Sequence, residues 1–562
     1  ITYGDTGASG PGATAPTSTG AATWQAASRT TAGGTIANLG ASPSLNVLSA
    51  DGAGTLAASP TSATAGSTGN TLTFTYTAAA GGISNGAVRV TAPAGWSAPS
   101  LTGTAAGFTT ASTGTVGIAG QVITVTGVTL AGGATMTITY GATGSGGPGA
   151  AAPTSTGAAA TWQAAARSTS GGTITNLGAS PTVTIVPGAA AQIALTGPTA
   201  DLTAGANRVL TATIQDANGN TITTDNSTVV TFAKQSGVGS VSGTGTATAS
   251  SGVATKTVTG VLAGPVTMEA TVSGLTTGTL AFNVVHGAAT ALDLTGSTAN
   301  LASGTNRVLT ATVVDANGNT VTSDSSTVVA FAQSAGAGTV TGSGNATATN
   351  GVATKTITGQ LVGAVTMEAT ATGLTTGTLG AFTVVPGAAT QIQLTGSTTN
   401  LTSGATRVLT ATIQDAAGNT VTSDSSTSVT FAKASGAGTV SGTGAATATN
   451  GVATKTITGV LAGAVTMEAT ATGLTTGTLG AFTIVHGAAT QIALTGSTAN
   501  LTSGATRVLT ATVQDAAGNT VTSDNSTSVT FAKASGAGTV SGTGAATASS
   551  GVATRTITGV LV

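Results

Sequence analysis

The segment "PGAAAQIALTG" begins at Pro187 and returns as "HGAATALDLTG" at His286, "PGAATQIQLTG" at Pro386 and "HGAATQIALTG" at His486. The spacings are 99, 100 and 100 residues. A period of that length is one small domain, so each copy must close its own hydrophobic core, and one large shared core is excluded. A second repeat type fills the N-terminal third. "ITYGDTGASGPGATAPTSTGAATWQAASRTTAGGTIANLGASPS" at 1–44 recurs, with one inserted alanine, at 138–182. The expected modules are therefore 1–50 (the C-terminal part of a type A module), 51–186 (type A), and 187–285, 286–385, 386–485 and 486–562 (type B). The last copy stops after "GVATRTITGVLV", before the counterpart of "AGAVTMEATATGLTTGTLGAFT" in its predecessors. The chain reads as a stretch of a longer array.

Within each module the hydrophobic period is two. "TLTFTYTA" (71–78), "QVITVTGVTL" (121–130), "ATMTITYG" (134–141), "RVLTATIQD" (208–216) and "STVVTFAK" (227–234) alternate Thr with Val, Ile, Leu or aromatics. Such runs, bounded by Gly, Asn and Ser, predict half-buried antiparallel strands, and no 3.6-residue stripe competes with them. About seven strands per module, with turn signals every 8–12 residues, predict tandem immunoglobulin-like β-sandwiches in an elongated all-β array.

Composition narrows the partners. Charged residues make up 5% of the 562, and 14 Lys+Arg stand against 15 Asp+Glu. No basic stripe is available to displace counterions, so nucleic acid is not expected as a partner. Low charge favours self-association over repulsion and makes association only weakly sensitive to salt. There is no cysteine, hence no disulfide or thiolate chemistry. No run of 18 apolar residues predicts a membrane span, and "ITYGDTGASG" lacks the basic-then-apolar pattern of a secretory leader.

The type B copies carry a resemblance. A strand ending in "DANGN", a "VVTF" strand, a Gly-rich stretch, "GVATKT" and "GPVTMEATV" follow one another from Arg208 onward, and the pattern recurs four times over 187–562. This resembles the bacterial immunoglobulin-like repeats of the invasin and intimin adhesins. The resemblance implies rigid extracellular β-sandwich rods that hold an adhesive tip away from a cell, with no catalytic residues. No lectin-like terminal domain accompanies the repeats. The 51–186 unit resembles, more loosely, β-sandwich modules of large bacterial surface proteins.

Candidate sites are few. In "QDANGN", Asp216, Asn218 and Asn220 alternate around Gly219, as in a calcium loop. An EF-hand needs glycine sixth and glutamate twelfth; here glycine is fourth and Ser227 twelfth. The copies read "DANGN" at 315–319 but "DAAGN" at 415–419 and 515–519, which removes one ligand oxygen. The leading reading is a tight turn, with an adventitious cation site as the alternative. Lys256, Lys355 and Lys455 in "GVATKT" and Glu269, Glu368 and Glu468 in "TMEA" lie on two strands expected to be joined by a short "GVLAG"-like turn, and suggest a cross-strand ion pair, a lysine snorkelling from the sheet edge, or a Lys–Asn/Asp isopeptide bond assisted by a buried carboxyl. Arg555 in the fourth copy cannot form that bond. His286 and His486 alternate with Pro187 and Pro386 and read as linker positions. Trp24 and Trp162 read as core anchors, whereas Trp96 in "APAGWSAPS" reads as loop-borne and able to stack on a sugar. Asn226, Asn345, Asn400, Asn500 and Asn525 begin N-x-S/T sequons.

No nucleophile is paired with a base and an orienting group, so neither catalysis nor a cofactor is expected. The sequence points to an extracellular structural protein of the cell surface, a rod, stalk or filament that self-associates into a filament or surface layer. Strand exchange between incomplete ends is a minor variant, since residues 1–50 belong to the other module type and do not supply the strands missing at 486–562. The alternative is an adhesin whose N-terminal modules bind cell-surface glycans; ice or mineral binding through Thr rows is a third.

Overall fold

Thr406–Gln414 shows how the alternation becomes a sandwich. Arg407, Leu409, Ala411 and Ile413 turn inward, while Val408, Thr410 and Thr412 face outward. The computed structural model describes residues 1, 3, 4, 7 and 12–562. Among these there is no helix, and hence none long and apolar enough to cross a membrane. The chain divides into two compact units, Ile1–Val285 and His286–Val562.

In the second unit, the copy at 386–485 is complete. One sheet runs in the order Gln391–Thr395, Thr406–Gln414, Val452–Gly459, Val440–Ser441. The other runs Leu401–Thr402, Gly477–Val485, Gly463–Thr470, Ser428–Ser435, Gly444–Thr447. Seven of these nine strands have four residues or more; the other two have two each. All pairs are antiparallel except Leu401–Thr402, which runs parallel to Gly477–Val485. Leu409, Ile413, Val429, Phe431, Ile457, Val465, Met467, Phe482 and Ile484 fill the space between the sheets. Removing each such side chain from water contributes about 1.5–3 kcal/mol. The Gly-rich stretch serves close approach. Gly436 has φ of 104°, and a Cβ there would lie 2.0 Å from the Ala464 carbonyl oxygen.

The copy at 286–385 repeats this pairing. Residues 486–562 hold the four-stranded sheet, but of the second sheet only Ser528–Phe531 and Gly544–Thr547. Ile492 and Leu494 are consequently 51% and 62% exposed, against 5% and 6% for Ile392 and Leu394, which lie under Gly463–Thr470 and Gly477–Val485.

In the first unit, residues 187–285 form the same sandwich, and 51–186 a different one. Its five-stranded sheet runs Thr115–Ala119, Val122–Leu130, Ile83–Thr91, Gln163–Arg167, Thr175–Asn176. The facing sheet runs Thr55–Ser59, Leu72–Thr77, Thr135–Tyr140, Thr109–Ala111. Residues Gly20–Thr23 pair with Ser44–Val47.

Two expectations change. "GVLAG" does not join a hairpin. Val253–Gly260 lies in the four-stranded sheet and Gly264–Thr271 in the five-stranded one, so Lys256 and Glu269 are not cross-strand neighbours. Lys256 Nζ donates instead to the Thr246 carbonyl at 3.2 Å, and Gln235 Nε2 meets Glu269 at 3.3 Å. Lys355 and Lys455 donate to the Asn345 and Ala445 carbonyls at 3.1 and 3.0 Å. Arg555 reaches the same edge through Nε to the Gly542 carbonyl, 2.8 Å, and Nη1 to that of Ala545, 3.1 Å. These cations tie one sheet to the edge of the other, a task that Arg performs as well as Lys. Trp24, expected in a core, is 48% exposed, because no counterparts of Leu72–Thr77 and Thr135–Tyr140 stand over it among the described residues.

Candidate functional site

The loop after the strand ending at Asp216 is a tight turn: Gly219 N–H donates to the Asp216 carbonyl and Gly219 has φ of 84°. Its side chains do more than close the turn. In the copy at 386–485, buried Asp415 receives the N–H groups of Ala417 and Asn419 on Oδ1, both at 2.9 Å. Its Oδ2 receives the Asn419 Nδ2 at 2.8 Å and the N–H of Gly387, in the linker, at 2.9 Å. Burial pushes this carboxyl up, but the Asn419 amide and the Gly387 and Asn419 N–H groups outweigh it and hold it below the ordinary carboxylate value. Asp216, Asp315 and Asp515 are held down in the same way.

The asparagine crosses to the preceding module. Asn419 Nδ2 donates to the Gln360 carbonyl, 2.7 Å, and to Ser303 Oγ, 3.2 Å, while its Oδ1 accepts the Val362 N–H, 3.0 Å. Asn519 repeats the arrangement on the Val460 carbonyl at 2.7 Å, Ser403 Oγ at 3.1 Å and the Ala462 N–H at 2.6 Å. At the junction of the two module types, Asn220 donates to the Thr154 carbonyl at 2.8 Å and accepts the Thr156 N–H at 2.9 Å. Asn218 adds a 3.3 Å bond to the Ala65 carbonyl. The linker is held equally close. A Cβ at Gly387 would stand 2.5 Å from the Ser303 carbonyl oxygen.

This geometry bears on the cation reading. Both oxygens of Asp216 face N–H donors: Asn218 and Asn220 N–H on Oδ1, Gly188 N–H on Oδ2, and Asn220 Nδ2 on both. Those donors turn their positive ends to the carboxylate, where a cation would have to sit. Asn218 gives its side-chain amide to the neighbouring module, and Asn220 divides its own between that module and Asp216.

The other sequence candidates lie apart from this joint or beside it. Trp96, expected in an open loop, is 4% exposed and packs against Trp162 and Tyr140, with centroids at 5.5 and 6.2 Å. Sugar stacking needs an open ring face, and the type A core covers this one. His286 and His486 place Nδ1 against the next glycine's carbonyl at 2.9 and 3.0 Å, as linker residues. Asn226, Asn345, Asn400, Asn500 and Asn525 are all exposed. Asn226 and Asn525 hold the N–H groups of Ser251 and Ser550 at 2.8 Å; both serines have positive φ.

Sequence reasoning assigned Asn220 to the turn and missed its bond to the preceding module. The signal was present. Asp, Gly and the final Asn persist in all four copies while Asn218 and Asn317 give way to Ala417 and Ala517. A turn alone does not demand that final asparagine.

Independent cores, an all-β alternation and side-chain bonds at the joints define a chain of tandem immunoglobulin-like sandwiches. No protein-family model matches the sequence, and no curated protein does. Among solved structures the chain is similar to the Escherichia coli adhesin FdeC, at 19% identity over 53% of this chain and 98% of that one, with a TM-score of 0.29. It is also similar to invasin, described as a bacterial integrin-binding protein, at 15% identity over 90% and 100% with a TM-score of 0.27. The D0–D1 domains of intimin match at 22% identity over 34% and 96%, with a TM-score of 0.15.

Proposed function

We propose that this chain is a structural segment of an extracellular, bacterial surface rod or filament, in which tandem sandwiches supply reach and self-associate into a filament or surface layer. One observation carries the reading. The same asparagine ties modules together at both kinds of joint, A to B and B to B, with hydrogen bonds of 2.6–3.0 Å to the preceding backbone. Linkers fastened in this way restrict bending between neighbours, which is a mechanical property and serves no catalytic step. The near-identity of the type B copies makes module number, hence length, the variable quantity. A surface with 5% charged residues has little repulsion to prevent lateral packing. Glycans on the five exposed sequons would thicken its polar coat.

Electron microscopy of the native material tests the reading. Beaded fibres with a repeat of about one module support it. Dispersed monomers, together with binding on a glycan array, would favour an adhesin instead.

A further inference from the structure

Asparagines that cross a joint meet chemically unrelated neighbours. Asn220 meets Thr154 and Thr156, Asn419 meets Gln360 and Val362, and Asn519 meets Val460 and Ala462. In each case the partners are the carbonyl of one residue and the N–H of the residue two further on. Each contacted pair spans a bend, at residues 154–155, 361–362 and 461–462, and both of its groups meet one side-chain amide there. A carboxamide presents one acceptor and one donor in a single plane, and it matches that pair. The shortest contacts are to these backbone groups; Thr156 Oγ1 lies 3.5 Å from Asn220 Oδ1, and Ser303 and Ser403 Oγ stand 3.2 and 3.1 Å from the Asn419 and Asn519 amides.

The amide is fixed before it reaches across. Its second N–H is held by Asp415 Oδ2 at 2.8 Å in one copy and by Asp515 Oδ2 at 2.9 Å in the next. The carboxylate is itself tied to the linker through the Gly387 and Gly487 N–H groups. Asp is therefore the positioning residue and Asn the coupler. Leucine has the shape of asparagine but neither polar group, and aspartate lacks the donor.

We propose that Asn220, Asn419 and Asn519 are couplers that do not read the identity of the pair they grip, each fastening its module to the preceding one chiefly through that pair's backbone carbonyl and N–H. Type A and type B modules can then follow one another, and copies can be gained or lost, without a matching change in the module upstream. This stands apart from the rod reading: the coupling can hold in a chain that forms no filament, and a filament can form without it.

Amide hydrogen exchange on the full chain tests the coupling. In Asn419→Ala, the Val362 amide should exchange about tenfold faster or more, the loss expected for one buried hydrogen bond. The core amides of Leu409 and Phe431 should keep their protection, which establishes that the module remains folded. Asn419→Leu should match the alanine variant, while Gln360→Ala and Val362→Ala should leave exchange at residue 362 within about twofold, since neither removes a backbone group. Asn220→Ala should release Thr156 to the same degree. Unchanged exchange at Val362 in Asn419→Ala would overturn the proposal. So would full protection in Asn419→Leu, which would make the contact steric, or a loss in Gln360→Ala or Val362→Ala equal to that in Asn419→Ala.

Discussion

At the centre of residues 51–186, Trp162 touches Phe74, Tyr140 and Trp96, with ring centroids 4.7, 5.0 and 5.5 Å away. At the centre of 386–485 there is no tryptophan. Phe431 packs among Val, Ile and Met, and Phe482 lies under the guanidinium of Arg407 at 4.4 Å. The first core is one aromatic cluster; the second is an aliphatic filling with a cation over a ring near its margin. The joint nonetheless uses one device on both sides of the boundary. Cores in this chain are interchangeable in chemistry so long as two sheets are held apart at one spacing, whereas the joint depends on particular polar atoms.

The difference is open to direct attack, beginning with the largest effect. Trp162→Ala should cost about 3–5 kcal/mol and unfold the type A module while the type B copies stay folded. Phe431→Ala should cost a similar amount in its own copy only. Because Trp24, Trp96 and Trp162 are the only tryptophans, fluorescence in a denaturant titration reports the first change and is silent to the second, while circular dichroism sees both. A shift of the fluorescence transition in Phe431→Ala would break the claim of separate cores.

A smaller effect is expected at Arg407. Its Nη2 donates to the Thr399 carbonyl at 2.6 Å, but its buried Nη1 has no partner among the described residues. Arg407→Ala should destabilise that copy by about 1–3 kcal/mol, through lost ring contact and packing. Arg407→Met should recover most of the loss, since replacing a buried charge by an apolar chain is often neutral. Thermal unfolding of the two variants side by side decides between packing and charge.

The joint carboxylates set a pH dependence. Asp216, Asp315, Asp415 and Asp515 are held below their unfolded value, so their contribution is complete above about pH 4 and is lost as pH falls through the lower folded value. Joint amides such as Val362 should keep their protection at pH 5 and lose it under stronger acid. In Asp415→Asn, that acid dependence at the 386–485 joint should vanish. Loss of protection already between pH 7 and 5 would contradict the assignment.

The smallest effect concerns Ser251, whose φ is 50°, in a turn where Asn350 and Asn450 stand in the neighbouring copies. Ser251→Gly should stabilise its module by about 0.5–1 kcal/mol, because a residue without Cβ adopts that conformation freely. A chemical-denaturation midpoint unchanged or lowered would show that the φ carries no strain.

Much of this was legible in the sequence. Period-two alternation located the strands to within two residues: "TLTFTYTA" became Leu72–Thr77, and "RVLTATIQD" became Asn207–Asp216. Repeat spacing pointed to separate cores. What escaped was long-range. Nothing local to "GVLAG" says that the chain changes sheets there, because a hairpin and a crossover use the same glycines. Nothing near Trp96 says that Trp162, 66 positions on, closes over it. Asn419 looked like turn chemistry because its partners, Gln360 and Val362, lie 59 and 57 residues upstream. A residue that serves its own loop and a neighbour leaves only the first duty in the local pattern.

Each complete module folds around its own core. Pulling single full-length chains from their two ends measures this directly. The three complete type B copies, 187–285, 286–385 and 386–485, should open one at a time in steps of equal length, each releasing about 350 Å of contour for 100 residues. The type A module should add one longer step. A single rupture over the whole length, or extension without discrete steps, would contradict it.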